Sequence, residues 1–163
     1  MSPSTPPGAT AVMFEPEYLE GFRQIYEEKI VFNQTLGLKL TQVTPEGVTA
    51  RIPMKPELVG HFAYNRIHGG VISAVLDAIG SAAVMAALAA KHMDEPPAQR
   101  LERFAKLGTI DLRIDYLRPG IGDYFDIHAQ CLRVGSRVGS SRMEFMGPDG
   151  TLMSTGAAAY IVS

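Results

Sequence analysis

The chain has 163 residues, enough for one domain with a sizeable buried core. It is 46% hydrophobic and 20% charged, with a formal net charge of -2, so a broad electrostatic pull toward nucleic acid or an anionic membrane is excluded. Cys131 is the only cysteine, which rules out an internal disulfide and fits a reducing, cytoplasmic setting.

Residues 1–12 are rich in proline and serine and read as a disordered tail, with residues 13–163 as a single domain. No basic segment followed by an apolar run opens the chain, so no secretory signal is expected. Residues 16–34 are predicted helical. Tyr18, Phe22, Ile25, Tyr26 and Ile30 recur at helical spacing, Pro16 suits a first turn and Gly37 lies past the end. This helix is expected on the outside of the domain. Residues 36–43 and 47–53 read as strands around a turn at Thr44-Pro45-Glu46-Gly47. Residues 55–67 read as a loop, and residues 70–92 as a long helix with Lys91 and His92 in its last turn. Residues 98–107 fit a short surface helix or loop. The remainder is β-rich: residues 109–117, 123–134, 138–146 and 152–162. In the first of these, Ile110, Leu112, Ile114 and Tyr116 alternate with Asp111, Arg113 and Asp115. Gly135-Ser136 and Pro148-Asp149-Gly150 supply hairpin turns. The order predicts an α+β fold, a six-stranded antiparallel sheet wrapped around one long helix.

The long helix carries the chemistry. Between Ser73 and Ala90, Asp77 is the only ionisable side chain in an alanine-rich run. A buried charge costs several kcal/mol unless it is compensated, so Asp77 needs a partner or a job. The run is interrupted by Asp77, two serines and a glycine, and reads as a buried helix rather than a membrane span. It is apolar nearly all round, so it should be buried nearly all round, which calls for a second copy of the chain. His68, Gly69 and Gly70 open the helix, where unpaired N–H groups and the positive end of the dipole make an oxyanion site. Asp77 lies two turns past Gly70, about 10 Å along the axis, so one chain cannot aim both at one carbonyl. Ser73 and Ser81 flank Asp77 by one turn each on its face. An antiparallel helix from a second subunit would bring its Asp77 to these glycines.

His68-Gly69-Gly70 with Asp77 nine positions after the histidine resembles the hotdog-fold acyl-CoA thioesterases of the PaaI type. Arg51-Ile52-Pro53-Met54, Pro56-Glu57-Leu58-Val59-Gly60 and Thr109 through Pro119 fall in the order that family uses, and the similarity is greatest to its YigI-like subset. The resemblance covers residues 34–162 and implies a hotdog fold and hydrolysis of an acyl-coenzyme A, medium- or long-chain, to free acid and coenzyme A. It implies Asp77 as nucleophile or general base, Gly69 as the polarising N–H with Gly70 beside it, and His68 as a positioning residue. It implies Thr109 as the group orienting water or the carboxylate. Ser73, Ser81 and Asn65 join the substrate-binding set, and Arg118, Arg137 and Arg142 are implied for the coenzyme A phosphates. It further implies a homodimer with shared sites, assembling as a dimer of dimers. No cofactor and no metal is expected, since coenzyme A is part of the substrate and no His/Cys/Asp cluster has ligand spacing. One departure stands out. Many members carry an Asn six positions before the motif histidine, and here that position is Phe62, with Asn65 the nearest Asn.

Plainer readings compete for the same residues: a structural acid at an interface for Asp77, a helix cap for His68, steric need for the glycines and a β-branched strand start for Thr109. A hotdog-fold enoyl-CoA hydratase or dehydratase and a non-catalytic acyl-CoA binding protein are the alternative functions.

Overall fold

The computed structural model of the protein describes residues 13–163. The tail expected at residues 1–12 lies outside the described residues. Six antiparallel strands, β1 (Lys39–Val43), β2 (Val48–Pro53), β5 (Gly108–Tyr116), β6 (Tyr124–Val134), β7 (Val138–Met146) and β8 (Leu152–Ile161), form one sheet in the order β1-β2-β6-β7-β8-β5. The long helix α3 (Gly69–Ala90) packs against its concave face. Alternation drives this. Along β7, Ser141, Met143 and Phe145 are buried toward α3 while Arg142 faces away. The segment expected as a loop holds a small second sheet, β3 (Val59–His61) paired with β4 (Arg66–Ile67), reversed through Asn65 at φ 47°.

The single helix expected over residues 16–34 is three pieces. They are α1 (Pro16–Arg23), a π-helical stretch (Gln24–Lys29) and α2 (Val31–Leu36), with Ile30 leaving helical backbone at φ -80°, ψ 94°. Asn33 explains how the break is tolerated: its Nδ2 donates to the Tyr26 carbonyl at 2.9 Å. Gly37 ends α2 at φ 70°, a left-handed backbone that favours glycine. One face of the segment turns inward while Glu17, Glu20, Glu28 and Lys29 stay exposed. Tyr18, Phe22 and Tyr26 are buried, with successive rings 5.8 and 4.8 Å apart. Fully buried Arg100 of α4 (Pro97–Glu102) donates to both Glu15 oxygens at 2.6 and 2.7 Å and lies over the Tyr18 ring.

The helix begins one residue earlier and ends sooner than the sequence predicts. His68 is its N-cap, and Lys91 caps its end with Nζ donating to the Val134 carbonyl. Its C-terminal half is covered by the chain itself: Ala82 through Ala86, Leu88 and Ala89 are all buried. The stripe left half-open is narrow and runs through Ser73, Ala74, Asp77, Ala78 and Ser81. Burial therefore calls for a partner only along the stripe that carries the polar groups.

Alternation fails in one place that matters. In β5 a bulge falls between Thr109 and Asp111, opposite Tyr160 and Ala159 of β8, so Ile110 is the extra residue. Ile110 is 57% exposed and Tyr116 55%, and of the expected inward set Leu112 and Ile114 pack against the core. The added residue reverses parity, so Thr109 is turned to the α3 side of the sheet.

Two measurements probe this packing. A Cβ added at Gly80 of α3 would stand 2.4 Å from Tyr160 Oη and 2.8 Å from Ser141 Oγ. Gly80→Ala therefore lowers stability in urea unfolding by about 1 kcal/mol, overlap outweighing the gain in helix propensity. The hydrogen bond from Arg100 holds the Glu15 carboxyl below its ordinary value of 4.5. Its contribution is complete above that value and is lost as pH falls through the lower folded one. Glu15→Gln then costs about 1 kcal/mol at pH 7, after allowance for solvent screening, and shrinks the fall in stability on acidification.

Candidate active site

The carboxylate of Asp77, half-buried on the open stripe of α3, meets Thr109 across the bulge. Thr109 Oγ1 lies 3.0 Å from Asp77 Oδ1 and 3.2 Å from Oδ2, donating to the carboxylate. A charge-assisted bond of this kind compensates an acid that its helix neighbours cannot. Below it, Tyr160 of β8 donates from Oη to the Asp77 carbonyl at 3.0 Å. Burial pushes the Tyr160 hydroxyl well above its ordinary range, so it is a fixed donor and not a base at neutral pH.

Asp77 and Thr109 open onto a pocket of about 230 Å³. Its walls include Ile30, Phe32, Ala74, Phe104 and Leu107, apolar groups drawn from the N-terminal segment, α3 and the stretch before β5. Ser81, one turn past Asp77, donates to the Ala78 carbonyl at 2.7 Å and so accepts from Tyr26 Oη at 3.1 Å. Carboxylate, hydroxyl and apolar cleft are thus brought together in one protomer.

The helix start is a separate cluster. The Gly70 N–H donates to His68 Nδ1 at 2.8 Å. The cap therefore occupies Gly70, which is not a free oxyanion donor. Among the described residues, the Gly69 N–H meets no acceptor, while its carbonyl accepts from Tyr116 Oη at 2.8 Å. Arg66 and Arg118 flank Gly69 in a groove of about 410 Å³. Arg118 is steadied by donating to the Leu152 carbonyl at 2.9 Å. Along α3, Gly69 and Asp77 are about 12 Å apart, so they cannot address one carbonyl from the same chain.

The other expected residues are placed elsewhere. Ser73 Oγ donates to the Gly70 carbonyl within the helix. Asn65 serves as the left-handed turn residue of the β3–β4 hairpin and is exposed there. Arg137 sits in the β6–β7 turn, where its carbonyl accepts from Val162. Arg142 lies on the face of the sheet opposite α3, in a shallow cleft with Glu46 and Glu144. Neither arginine is near Gly69 or Asp77 in the protomer. Tyr26, Tyr116, Tyr160 and Arg66 are contributors that the sequence reading passes over. For Tyr26 and Tyr160 the signal is that a buried tyrosine hydroxyl must find a partner; the exposed Tyr116 and the half-buried Arg66 carry no such signal. Among the described residues no group of three or more His, Cys, Asp or Glu is placed to hold a metal.

Residues 64–154 match the thioesterase superfamily. The chain belongs to that superfamily. It is 29% identical over 153 residues to the medium/long-chain acyl-CoA thioesterase YigI of Escherichia coli K12, covering 94% of this chain and 99% of that protein. The Salmonella typhimurium protein of the same name is 30% identical over the same share of this chain. A crystal structure of a Shewanella oneidensis protein related to the thioesterase superfamily is 36% identical and covers 92% of this chain and all of its own, with a TM-score of 0.83. The thioesterase fold accounts for the wrapped helix, and it places Asp77 and Gly69 on the one element that the sheet embraces.

In this thioesterase Thr109 is exposed, so Thr109→Val should fold normally by circular dichroism. Losing the bond to the carboxylate should lower kcat for thioester hydrolysis about tenfold or more, with little change in KM.

Proposed function

We propose that the protein hydrolyses acyl-CoA thioesters with a medium- or long-chain acyl group, at sites shared by two protomers. The observation that carries this reading is the Thr109–Asp77 pair at the mouth of an apolar pocket. Asp77 acts as general base. It takes a proton from a water bound beside the Thr109–Asp77 pair, and the water oxygen adds to the thioester carbon. The Gly69 N–H of the partner subunit donates to the carbonyl oxygen as charge builds there. The C–S bond then breaks, and the proton held by Asp77 is returned to the departing coenzyme A thiolate. His68 holds the helix start in register by accepting the Gly70 N–H. Arg66 and Arg118 stand beside Gly69 with an apolar floor between them, a setting suited to the pantetheine arm and phosphates of coenzyme A.

The unpaired edge of β5 supports the shared site. Ile110, Tyr116 and Leu117 are all more than half exposed along it, and Phe62 at the β3–β4 hairpin is 91% exposed. An apolar sheet edge left open is a template for a second copy, and homodimers close most simply about a two-fold axis. A cytoplasmic setting fits the single, half-buried Cys131, whose thiol burial pushes up in pKa and so makes unreactive.

The test is a panel of saturated acyl-CoAs from acetyl to palmitoyl, followed by release of free thiol. Asp77→Ala should lose turnover about a thousandfold while keeping its fold. Unchanged hydrolysis by that variant would remove Asp77 from the mechanism. Gly69→Pro deletes the donor N–H at the first helical position, where proline is accommodated. It should also be inactive. Co-refolded in equal amounts, the two inactive variants should recover about a quarter of wild-type activity, because half of the dimers then carry one intact site of two. No recovery, with mixed dimers present, would place both groups in the same protomer. Hydrolysis in oxygen-18 water under single-turnover conditions separates attack by water from attack by the carboxylate.

A further inference from the structure

Four of the pocket's residues, Tyr26, Ile30, Phe32 and Asn33, come from the N-terminal helical segment, ahead of residue 64 where the superfamily match begins. This wall lies ahead of the superfamily match but within the 94% of the chain that the YigI relative covers. Tyr26 is its most constrained member. Its hydroxyl is bound by Ser81 at 3.1 Å and its carbonyl by Asn33 at 2.9 Å. Its ring stacks on Phe22 at 4.8 Å and meets Phe104 edge-on at 5.6 Å. The π-helical stretch and the break at Ile30 set it there. A side chain fixed at both ends and on two faces does not swing aside for a ligand.

Ser81 is one helical turn beyond Asp77, so the Tyr26 hydroxyl stands about 6 Å along α3 from the carboxylate. An acyl chain whose carbonyl reaches Asp77 enters the pocket between Phe32 and Leu107 and meets Tyr26. At about 230 Å³ the space is small for a long chain. Resting on the hydrolase reading above, we infer that Tyr26 is the chain-length stop of this enzyme, with Phe32 shaping the entrance, and that the N-terminal segment acts as a ruler for the acyl group. Each methylene buried before the stop improves binding of the transition state about fourfold. A methylene beyond it gains nothing, because making room would break the Tyr26–Ser81 and Asn33–Tyr26 bonds.

The experiment is kcat/KM across the saturated acyl-CoA panel for wild type, Tyr26→Ala, Tyr26→Phe and Phe32→Ala. Wild type should rise with length, peak and fall. Tyr26→Ala should move the peak to longer chains by two carbons or more, each added methylene again worth about fourfold. Tyr26→Phe keeps the wall and should keep the peak. Phe32 is 58% exposed, so its alanine variant should fold even if Tyr26→Ala does not, and it should relax the fall on the longest chains by about fourfold or more. A length profile unchanged in Phe32→Ala, and in Tyr26→Ala where that variant folds, overturns the ruler while leaving the hydrolase reading intact. Absence of turnover on every acyl-CoA removes both.

Discussion

A lone carboxylate in an apolar helix is the constraint around which this molecule is arranged. Asp77 could be neutralised by an ion pair, but a cation beside it would need burial of its own. The fold uses a hydroxyl instead. Thr109 donates to the carboxylate from the opposing edge strand, and Tyr160 fixes the backbone beneath it. Neither donor carries charge, so no buried cation has to be accommodated beside the helix. The arrangement depends on a local irregularity, the extra residue Ile110 in β5. Remove the bulge and Thr109 would face away from the helix, leaving Asp77 without a partner.

The same economy governs what covers α3. The helix has too much apolar surface for the sheet alone, and the N-terminal segment and the stretch after α3 take up part of the remainder. Tyr26 reaches the helix through Ser81, and Phe104 closes against Tyr26. Arg100 and Glu15 tie these two pieces to one another rather than to the sheet. Coverage stops at the stripe where the polar side chains stand. The cleft is therefore what remains when every purely structural part of the helix has been buried, which is why its walls come from segments with no part in the sheet.

Much of this was legible in the sequence. Strand and helix order, the sheet wrapped on a helix and the singular Asp77 follow from hydropathy period and from the cost of an isolated charge. The thioesterase resemblance rests on the His68-Gly69-Gly70 start and the Asp77 spacing. What escaped was local. The π-helical turn at Tyr26 looks like ordinary helix in the pattern, because apolar residues four apart fit both until Asn33 is seen to serve the freed carbonyl. The bulge at Ile110 is hidden because strict alternation gives the same hydropathy whether or not one residue is looped out. The two helix-opening glycines look equivalent in sequence, yet the cap occupies one N–H and leaves the other open. The outward aim of Arg142 is a matter of parity along β7 that the motif order does not encode.

The separation of the two clusters on α3 carries the last step. Helix rise fixes about 12 Å between Gly69 and Asp77, and no rotamer of an aspartate spans that gap. A single protomer thus holds an open helix-start N–H without a nearby carboxylate at one place and a carboxylate without such an N–H at the other. In the proposed dimer, two copies related by a two-fold axis, with their helices antiparallel across the open stripe, would convert each half-site into a complete one and do so twice. The exposed edge of β5 lies beside Thr109, so strand pairing across that edge would bring the partner's helix start toward Asp77 while shielding Ile110. On this view dimerisation is part of the chemistry itself, and the exposed Ile110 that the bulge creates is the same feature that turns Thr109 toward the acid.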